Sequence, residues 1–198
     1  VAYMPSDAMF YEGVTGRELF SLCGKFGKVP FEKIEELCKF LELDMSKKVS
    51  ELSLGNRKKV SIIQAIMREV EVLILDEPTS GLDPLMQERF FELVLEKQKQ
   101  GVTVFLSSHN LTEIEKYCDS AIIIKDGKII DEIDMKNSDI RKGQIVSYET
   151  KAGEKGQFEH LGEANDLIKK LEKIDLVHVE IRNKSVEDEF IKYYQEDK

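Results

Sequence analysis

The stretch Val70-Glu71-Val72-Leu73-Ile74-Leu75-Asp76-Glu77-Pro78 places a near-continuous apolar run directly before two acids. The run has the length of a strand. Its lack of polar alternation is typical of a strand that is covered on both faces in a parallel sheet. A second apolar run follows at residues 102–106, after a helical pattern that begins at Pro84. Helices that alternate with buried strands predict an α/β fold with a parallel sheet.

The flanking sequence predicts further helices and strands on both sides of this stretch. Apolar residues recur at helical spacing, and Gly27 with Pro30 separates the first helix from the second. The predicted elements are, in chain order, a short strand within residues 1–10, helices at about 16–27, 31–43 and 53–68, the strand 70–75, a helix at 84–100, the strand 102–106, a helix at 111–117, and strands 120–125 and 128–133 joined by an Asp126-Gly127 turn.

The composition changes near Met135. Residues 136–156 are polar and are interrupted by three glycines, and beyond them the pattern predicts a helix at 163–173, a strand at 176–181 and a helix at 185–194. We therefore expect an α/β core over residues 1–135 and a small α+β appendage over residues 136–198.

The charge balance argues against one class of partner. The 198 residues include 29 Lys and Arg against 38 Asp and Glu, which gives a formal net charge of −9. Proteins that follow a nucleic-acid backbone depend on clustered basic residues, so we expect no nucleic-acid partner. No apolar run approaches the roughly 20 residues that a membrane-spanning helix needs.

Asp76 and Glu77 are the first candidates for chemistry. Ligands of open α/β sheets bind at the carboxyl ends of the strands, where these two acids lie. Asp76 is suited to hold Mg²⁺ through water, and Glu77 is suited to orient and deprotonate a water that attacks a phosphoryl group. The alternative is a capped turn in which both carboxylates are simply solvated.

Two further segments carry polar groups toward the same chemistry. Ser53 can cap the helix that follows it, and Gly55 lets an anion approach the exposed amides of the first turn. The basic run Arg57-Lys58-Lys59 opposes the helix dipole, which indicates either an anionic ligand or acidic partner surface, or only a solvated basic face. His109 follows the second apolar strand, and we expect it on the same sheet edge as the two acids.

These motifs together resemble a known family. The strings LSLGN at residues 52–56, VLILDEPTSGLDP at residues 72–84 and LSSH at residues 106–109 have the order and spacing of the nucleotide-binding domain of ATP-binding cassette (ABC) transporters. The resemblance implies a P-loop-type ABC ATPase core, here incomplete, with a helical subdomain at about residues 14–55. It also implies ATP and Mg²⁺ as cofactors.

The resemblance assigns expected roles to individual residues. The signature motif would be residues 52–56, with Ser53, Leu54, Gly55 and Asn56 as cofactor-binding residues. Ser53 and Gly55 would contact the terminal phosphate of ATP held by the opposing subunit. Asp76 would end the Walker B strand as the Mg²⁺ residue, Glu77 would be the catalytic base, and His109 the switch histidine. Asp83 would lie in the D-loop at the dimer interface, and Ser6 stands at the Q-loop position. The expected partners are a second nucleotide-binding subunit and membrane-spanning permease subunits, at the cytoplasmic face of the cell membrane.

The chain departs from the family pattern at three places. Leu54 and Asn56 replace a glycine and a glutamine of the usual signature, as in subunits that resemble bacitracin and drug exporters. Ser6 replaces the Q-loop glutamine. No GxxxxGK[ST] segment occurs in the 198 residues. We therefore expect an N-terminally truncated export-type subunit that cannot bind or hydrolyse ATP by itself. The alternatives are a non-transport ABC-type ATPase and a non-catalytic interaction fragment.

Overall fold

The computed structural model describes residues 1–7, 9–10, 12–135, 143–188 and 190. The chain separates into two compact units, residues 1–109 and residues 110–198. The predicted division at residue 135 falls inside the second unit and stays a prediction.

The first unit is built on a parallel sheet, as the sequence predicts. Its strands are β1 (Ala2–Met4), β2 (Val72–Asp76) and β3 (Thr103–Ser107), in the order β1-β2-β3. Leu75 of β2 is paired with Met4 on one side and with Leu106 on the other. All three strands therefore present their carboxyl ends at one edge of the sheet.

Four α-helices belong to the first unit, and three of them begin after a side chain that caps the helix. They are α1 (Gly16–Gly27), α2 (Phe31–Phe40), α3 (Leu54–Ile66) and α4 (Pro84–Lys99), with a short 3₁₀ turn at Val49–Glu51. Thr15 and Glu18 form a reciprocal capping box at the start of α1. Pro84 occupies the first turn of α4, where its missing N–H costs no hydrogen bond.

The core of this unit lies between the sheet and the helices. Its fully buried side chains include Phe20, Ile34, Leu41, Ile62, Ile63, Leu73, Leu75, Phe90 and Phe91. The strand β3 differs from the prediction of a buried strand, because Phe105 is 57% exposed and the strand alternates between exposed and half-buried residues. Within the described residues β3 is the last strand of its sheet, which explains this exposure.

The second unit begins with α5 (Leu111–Tyr117) and a hairpin of β4 (Ser120–Lys125) and β5 (Lys128–Asp134). The predicted hairpin turn is confirmed, since Asp126 and Gly127 both have the positive φ that a two-residue turn of this type requires.

A separate antiparallel sheet with the order β7-β6-β8 follows. It consists of β6 (Gln144–Thr150), β7 (Lys155–His160) and β8 (Leu176–Asn183), and it is accompanied by α6 (Ala164–Leu171). The sequence did not predict β6 and β7, because Gly156 and several charged residues interrupt their pattern. The ring of Tyr148 occupies the space where a side chain at Gly156 would lie, so this strand glycine serves close packing.

The last predicted helix is described only in part. Residues 186–188 and 190 are helical, while residues 189 and 191–194 of that prediction lie outside the described residues. Among the helices that the structure describes, none combines the length and apolar character needed to cross a bilayer.

Candidate active site

The carboxyl ends of β2 and β3 bring the predicted acids and histidine together. Asp76 is the last residue of β2 and is paired in register with Ser107, the last residue of β3. Glu77 and His109 follow these two strand ends within two residues. Because the strands are parallel, the four polar residues meet at one sheet edge, which is where open α/β sheets bind ligands.

Ser107 contacts both acids. Its Oγ donates a hydrogen bond to Asp76 Oδ1 at 2.6 Å and accepts one from the Glu77 backbone N–H at 2.9 Å. Glu77 has a φ of 45°, a left-handed conformation that is uncommon for a residue with a side chain. The sequence motifs do not single out this serine, and the one signal for it is a polar residue at the end of the strand beside β2.

Glu77 and His109 form a close pair. His109 Nδ1 lies 2.7 Å from Glu77 Oε2, and the side chains are 78% and 30% exposed respectively. The His109 imidazole thus orients the Glu77 carboxylate, while Ser107 holds the Glu77 backbone. A carboxylate in this setting can accept a proton from a water molecule, and the exposed ring can reach a ligand at the strand ends.

The loop after β1 reaches the same edge. The side chain and the backbone of Ser6 form hydrogen bonds with the Asp76 carboxylate. The backbone oxygen of Ser6 accepts a hydrogen bond from Lys58 Nζ at 2.8 Å. The pKa of Asp76 is lowered, chiefly by the Ser107 hydroxyl and further by Ser6 and by the charge of Lys58, which outweigh its desolvation. Asp76 is therefore ionised at neutral pH and available to a cation.

Lys58 does not lie on a solvated basic face, which was one of the two interpretations that the sequence left open. Lys58 is only 7% exposed and Lys59 is 9% exposed, so two of the three basic residues are buried within the unit. Burial lowers the pKa of Lys58, while the nearby carboxylates of Asp7, Asp76 and Glu77 act in the opposite direction. An acidic environment within the chain itself thus accounts for this lysine, without an external anion.

The start of α3 packs against the turn that follows the acids. Ser53 caps α3 by accepting a hydrogen bond from the Asn56 N–H at 3.3 Å, as predicted. A Cβ at Gly55 would lie 2.9 Å from the backbone oxygen of Gly81, and the Leu54 side chain covers Gly81 from the other direction. The predicted signature segment and the turn after Glu77 are therefore direct neighbours within one chain.

Asp83 has a local structural partner. Its carboxylate caps α4 by accepting a hydrogen bond from the Met86 N–H at 3.0 Å. The structure thus gives Asp83 a capping role in the single chain, and its contribution to a dimer interface stays a prediction.

The donor set limits how a metal ion would be held. Among the described residues no three His, Cys, Asp or Glu side chains group closely enough to bind a metal by themselves. Mg²⁺ in phosphate-binding sites characteristically takes one or two carboxylates and completes its shell with water and substrate phosphates. The ionised Asp76 fits a site of that kind.

Two family profiles match the chain. The family described as "ABC transporter" matches residues 1–80, and the family described as "AAA domain, putative AbiEii toxin, Type IV TA system" matches residues 46–115. An uncharacterized ABC transporter ATP-binding protein of Nostoc sp. is 33% identical over 138 residues, which cover 66% of this chain and 41% of that protein. The chain spans about two fifths of the length of such curated relatives.

Solved structures agree with these relatives. A structure described as that of an ATP binding subunit of an ABC transporter is 31% identical, with a TM-score of 0.63 over 71% of this chain and 60% of that one. The dimeric structure of MJ0796, described as a bacterial ABC transporter cassette, has a TM-score of 0.61 over 68% of this chain and 62% of that one. Its 23% identity makes it a likeness of fold alone.

Proposed function

Because this chain belongs to the family of ABC transporter ATP-binding proteins, we propose that it forms the part of an ATP-hydrolysing site that activates water. The observation that carries the proposal is the pair of Glu77 and His109, 2.7 Å apart, beside an ionised Asp76. A base, a polar group that orients it and a cation-binding carboxylate are the groups that phosphoryl transfer to water requires.

Each residue has a stated part in the proposal. Glu77 accepts the proton of the attacking water, and the imidazole of His109 orients the Glu77 carboxylate and contacts the transferred phosphate. Asp76 holds Mg²⁺ through water, and the ion, when bound, neutralises charge on the phosphate oxygens. The start of α3, where Ser53 and Leu54 are exposed, is suited to a nucleotide phosphate from outside the chain.

The partners follow from that exposed helix start. We propose a second nucleotide-binding subunit that presents its ATP to Ser53, Leu54, Gly55 and Asn56, and the dimeric assembly of the cassette MJ0796 supports such a partner. We also propose that the complex binds to membrane-spanning permease subunits at the cytoplasmic face of the cell membrane. The variant signature LSLGN supports export as the direction of transport.

The proposal divides the ATP site between these residues and a phosphate-binding loop. None of the 198 residues forms a GxxxxGK[ST] segment, so the chain alone is proposed to be inactive. The test compares Mg²⁺-dependent ATP hydrolysis by the 198-residue chain with hydrolysis by a longer gene product or fusion in which such a segment precedes Val1.

We expect hydrolysis from the longer protein only, and a loss of about a hundredfold or more with Glu77→Gln. Glu149→Gln in the second unit is the matched control and leaves the rate unchanged. Full activity of the Glu77→Gln protein would refute the proposed base, and hydrolysis by the 198-residue chain would refute the division of the site.

A second candidate is an ATPase that works without membrane subunits. The AAA-domain profile over residues 46–115, which includes Asp76, Glu77 and His109, favours it. Affinity purification from membranes separates the two candidates. Recovery of stoichiometric membrane-embedded subunits supports the transporter, and retention of ATPase activity by a protein that never associates with membranes supports the second candidate.

A further inference from the structure

We propose that Ser107 is a positioning residue, which aims the two acids of the candidate site through one hydroxyl group. The proposal rests on the proposed function for its catalytic meaning, while its geometric content stands on the contacts alone. Ser107 occupies the last position of β3, directly beside Asp76 in the sheet register. From this position its side chain reaches the side chain of one acid and the backbone of the next.

The hydroxyl uses its donor and one acceptor position at the same time. The proton goes to Asp76 Oδ1 at 2.6 Å, and the oxygen accepts the Glu77 N–H at 2.9 Å. A hydroxyl has one donor and two acceptor positions, so a serine suits this double contact, whereas alanine and valine make neither bond. The two bonds reinforce each other, because donating to a carboxylate makes the hydroxyl oxygen a better acceptor.

The second bond bears on a strained residue. Glu77 has a φ of 45°, and such conformations persist only where surrounding contacts hold them. The Glu77 N–H donates to Ser107 Oγ, and the Glu77 carboxylate lies against His109. The last residue of β3 thus holds the backbone of Glu77, and the loop after β3 holds its side chain. Removal of the hydroxyl would release the backbone while leaving His109 in the chain.

The consequence is specific to the chemical step. Asp76 would lose the donor that fixes one of its carboxylate oxygens, and Glu77 would lose the contact that fixes its backbone direction. Neither Asp76 nor Glu77 is proposed to supply most of the binding energy for the nucleotide. The loss of Ser107 is therefore expected to reduce turnover more than it weakens ATP binding.

The first arm of the test uses the 198-residue chain and hydrogen exchange measured by NMR. Ser107→Thr keeps the hydroxyl, and Ser107→Val has the same shape without it, so the pair isolates the two hydrogen bonds. We expect the Glu77 amide to exchange roughly fivefold faster or more in Ser107→Val, with near-normal exchange in Ser107→Thr. Thr103→Val, which removes an exposed hydroxyl from the first residue of the same strand, is the control and leaves the exchange unchanged.

The second arm uses the form that carries a phosphate-binding loop. Ser107→Val is expected to lower kcat by about tenfold or more while the KM for ATP changes by less than about twofold, and Ser107→Thr restores most of kcat. Equal Glu77 exchange in the threonine and valine proteins, or a change confined to KM, would overturn the proposal. If the unsubstituted protein hydrolyses no ATP, the proposed function fails, and the exchange experiment alone decides the role of Ser107.

Discussion

A single methyl group at Gly55 tests how the start of α3 meets the turn after the acids. An ideal Cβ on Gly55 would lie 2.9 Å from the backbone oxygen of Gly81, which is shorter than the contacts that real Cβ atoms make. Gly81 has a φ of 80°, so its turn is already in a conformation that few residues adopt. The Gly55→Ala methyl group must therefore displace a backbone oxygen and not a flexible side chain.

Two effects of opposite sign decide the outcome. Replacement of glycine by alanine within a helix gains up to about 1 kcal/mol of intrinsic helix propensity, and less in the first turn, where Gly55 lies. Overpacking against a fixed neighbour costs about 1–3 kcal/mol. We expect the steric cost to prevail, so that Gly55→Ala lowers the free energy of unfolding by about 1 kcal/mol.

Gly27→Ala is the matched control. Gly27 also lies in a helix, and the nearest atom to its added Cβ is the end of the Val29 side chain at 3.4 Å, an ordinary contact. This substitution is expected to stabilise the chain by about 0.4–1 kcal/mol. Urea unfolding followed by far-ultraviolet circular dichroism measures both changes. Equal stabilisation by the two substitutions would refute the close packing of Gly55 against Gly81.

Three further predictions concern stability. Phe90 is fully buried and packs edge-on against a second phenylalanine, so Phe90→Ala should cost about 3–5 kcal/mol in the same unfolding assay. Ser53→Ala removes the cap of α3 and should cost about 1 kcal/mol, whereas Ser53→Asp, which keeps a capping oxygen, should cost less. The guanidinium of Arg182 and the Ser185 groups lower the pKa of Asp188, so its carboxylate stabilises the fold above the usual carboxyl pKa of about 4, and this contribution is lost as the pH falls through that value toward the lowered one. Asp188→Asn should therefore be less stable than the parent at neutral pH, with the difference shrinking below about pH 4; an unchanged difference at pH 3 would contradict this assignment.

The sequence predicts the elements of the first unit because their patterns are strong and local. Helices α1 to α4 carry periodic apolar residues and recognisable starts, and the apolar run of β2 identifies the centre of the sheet. The strands β6 and β7 were missed for a physical reason. Their stability comes from cross-strand contacts such as the Tyr148 ring over Gly156, and no single-segment pattern reports a contact between two strands.

The candidate site was predictable to the same extent. Asp76, Glu77 and His109 follow apolar strands, so their shared edge can be inferred from the parallel arrangement. The role of Ser107 could not be predicted from the sequence, because it depends on the register of β3 against β2, and register is set by tertiary pairing. The exposure of Phe105 was also hidden, since composition alone does not distinguish a central strand from an edge strand.

The inward position of Lys58 links two features that the sequence presents as separate departures. Ser6 stands where the family pattern has glutamine, and three basic residues stand where the helix dipole disfavours them. In the structure the Lys58 ammonium donates to the Ser6 backbone oxygen, and the negative charges of Asp7, Asp76 and Glu77 act on it. A serine side chain does not reach as far as the glutamine that it replaces. Here a serine lies close to Asp76, and the lysine from α3 secures the loop that carries it. The helix start that faces a partner's nucleotide in the proposed function is thereby tied, through one side chain, to the loop and the acids of its own sheet edge.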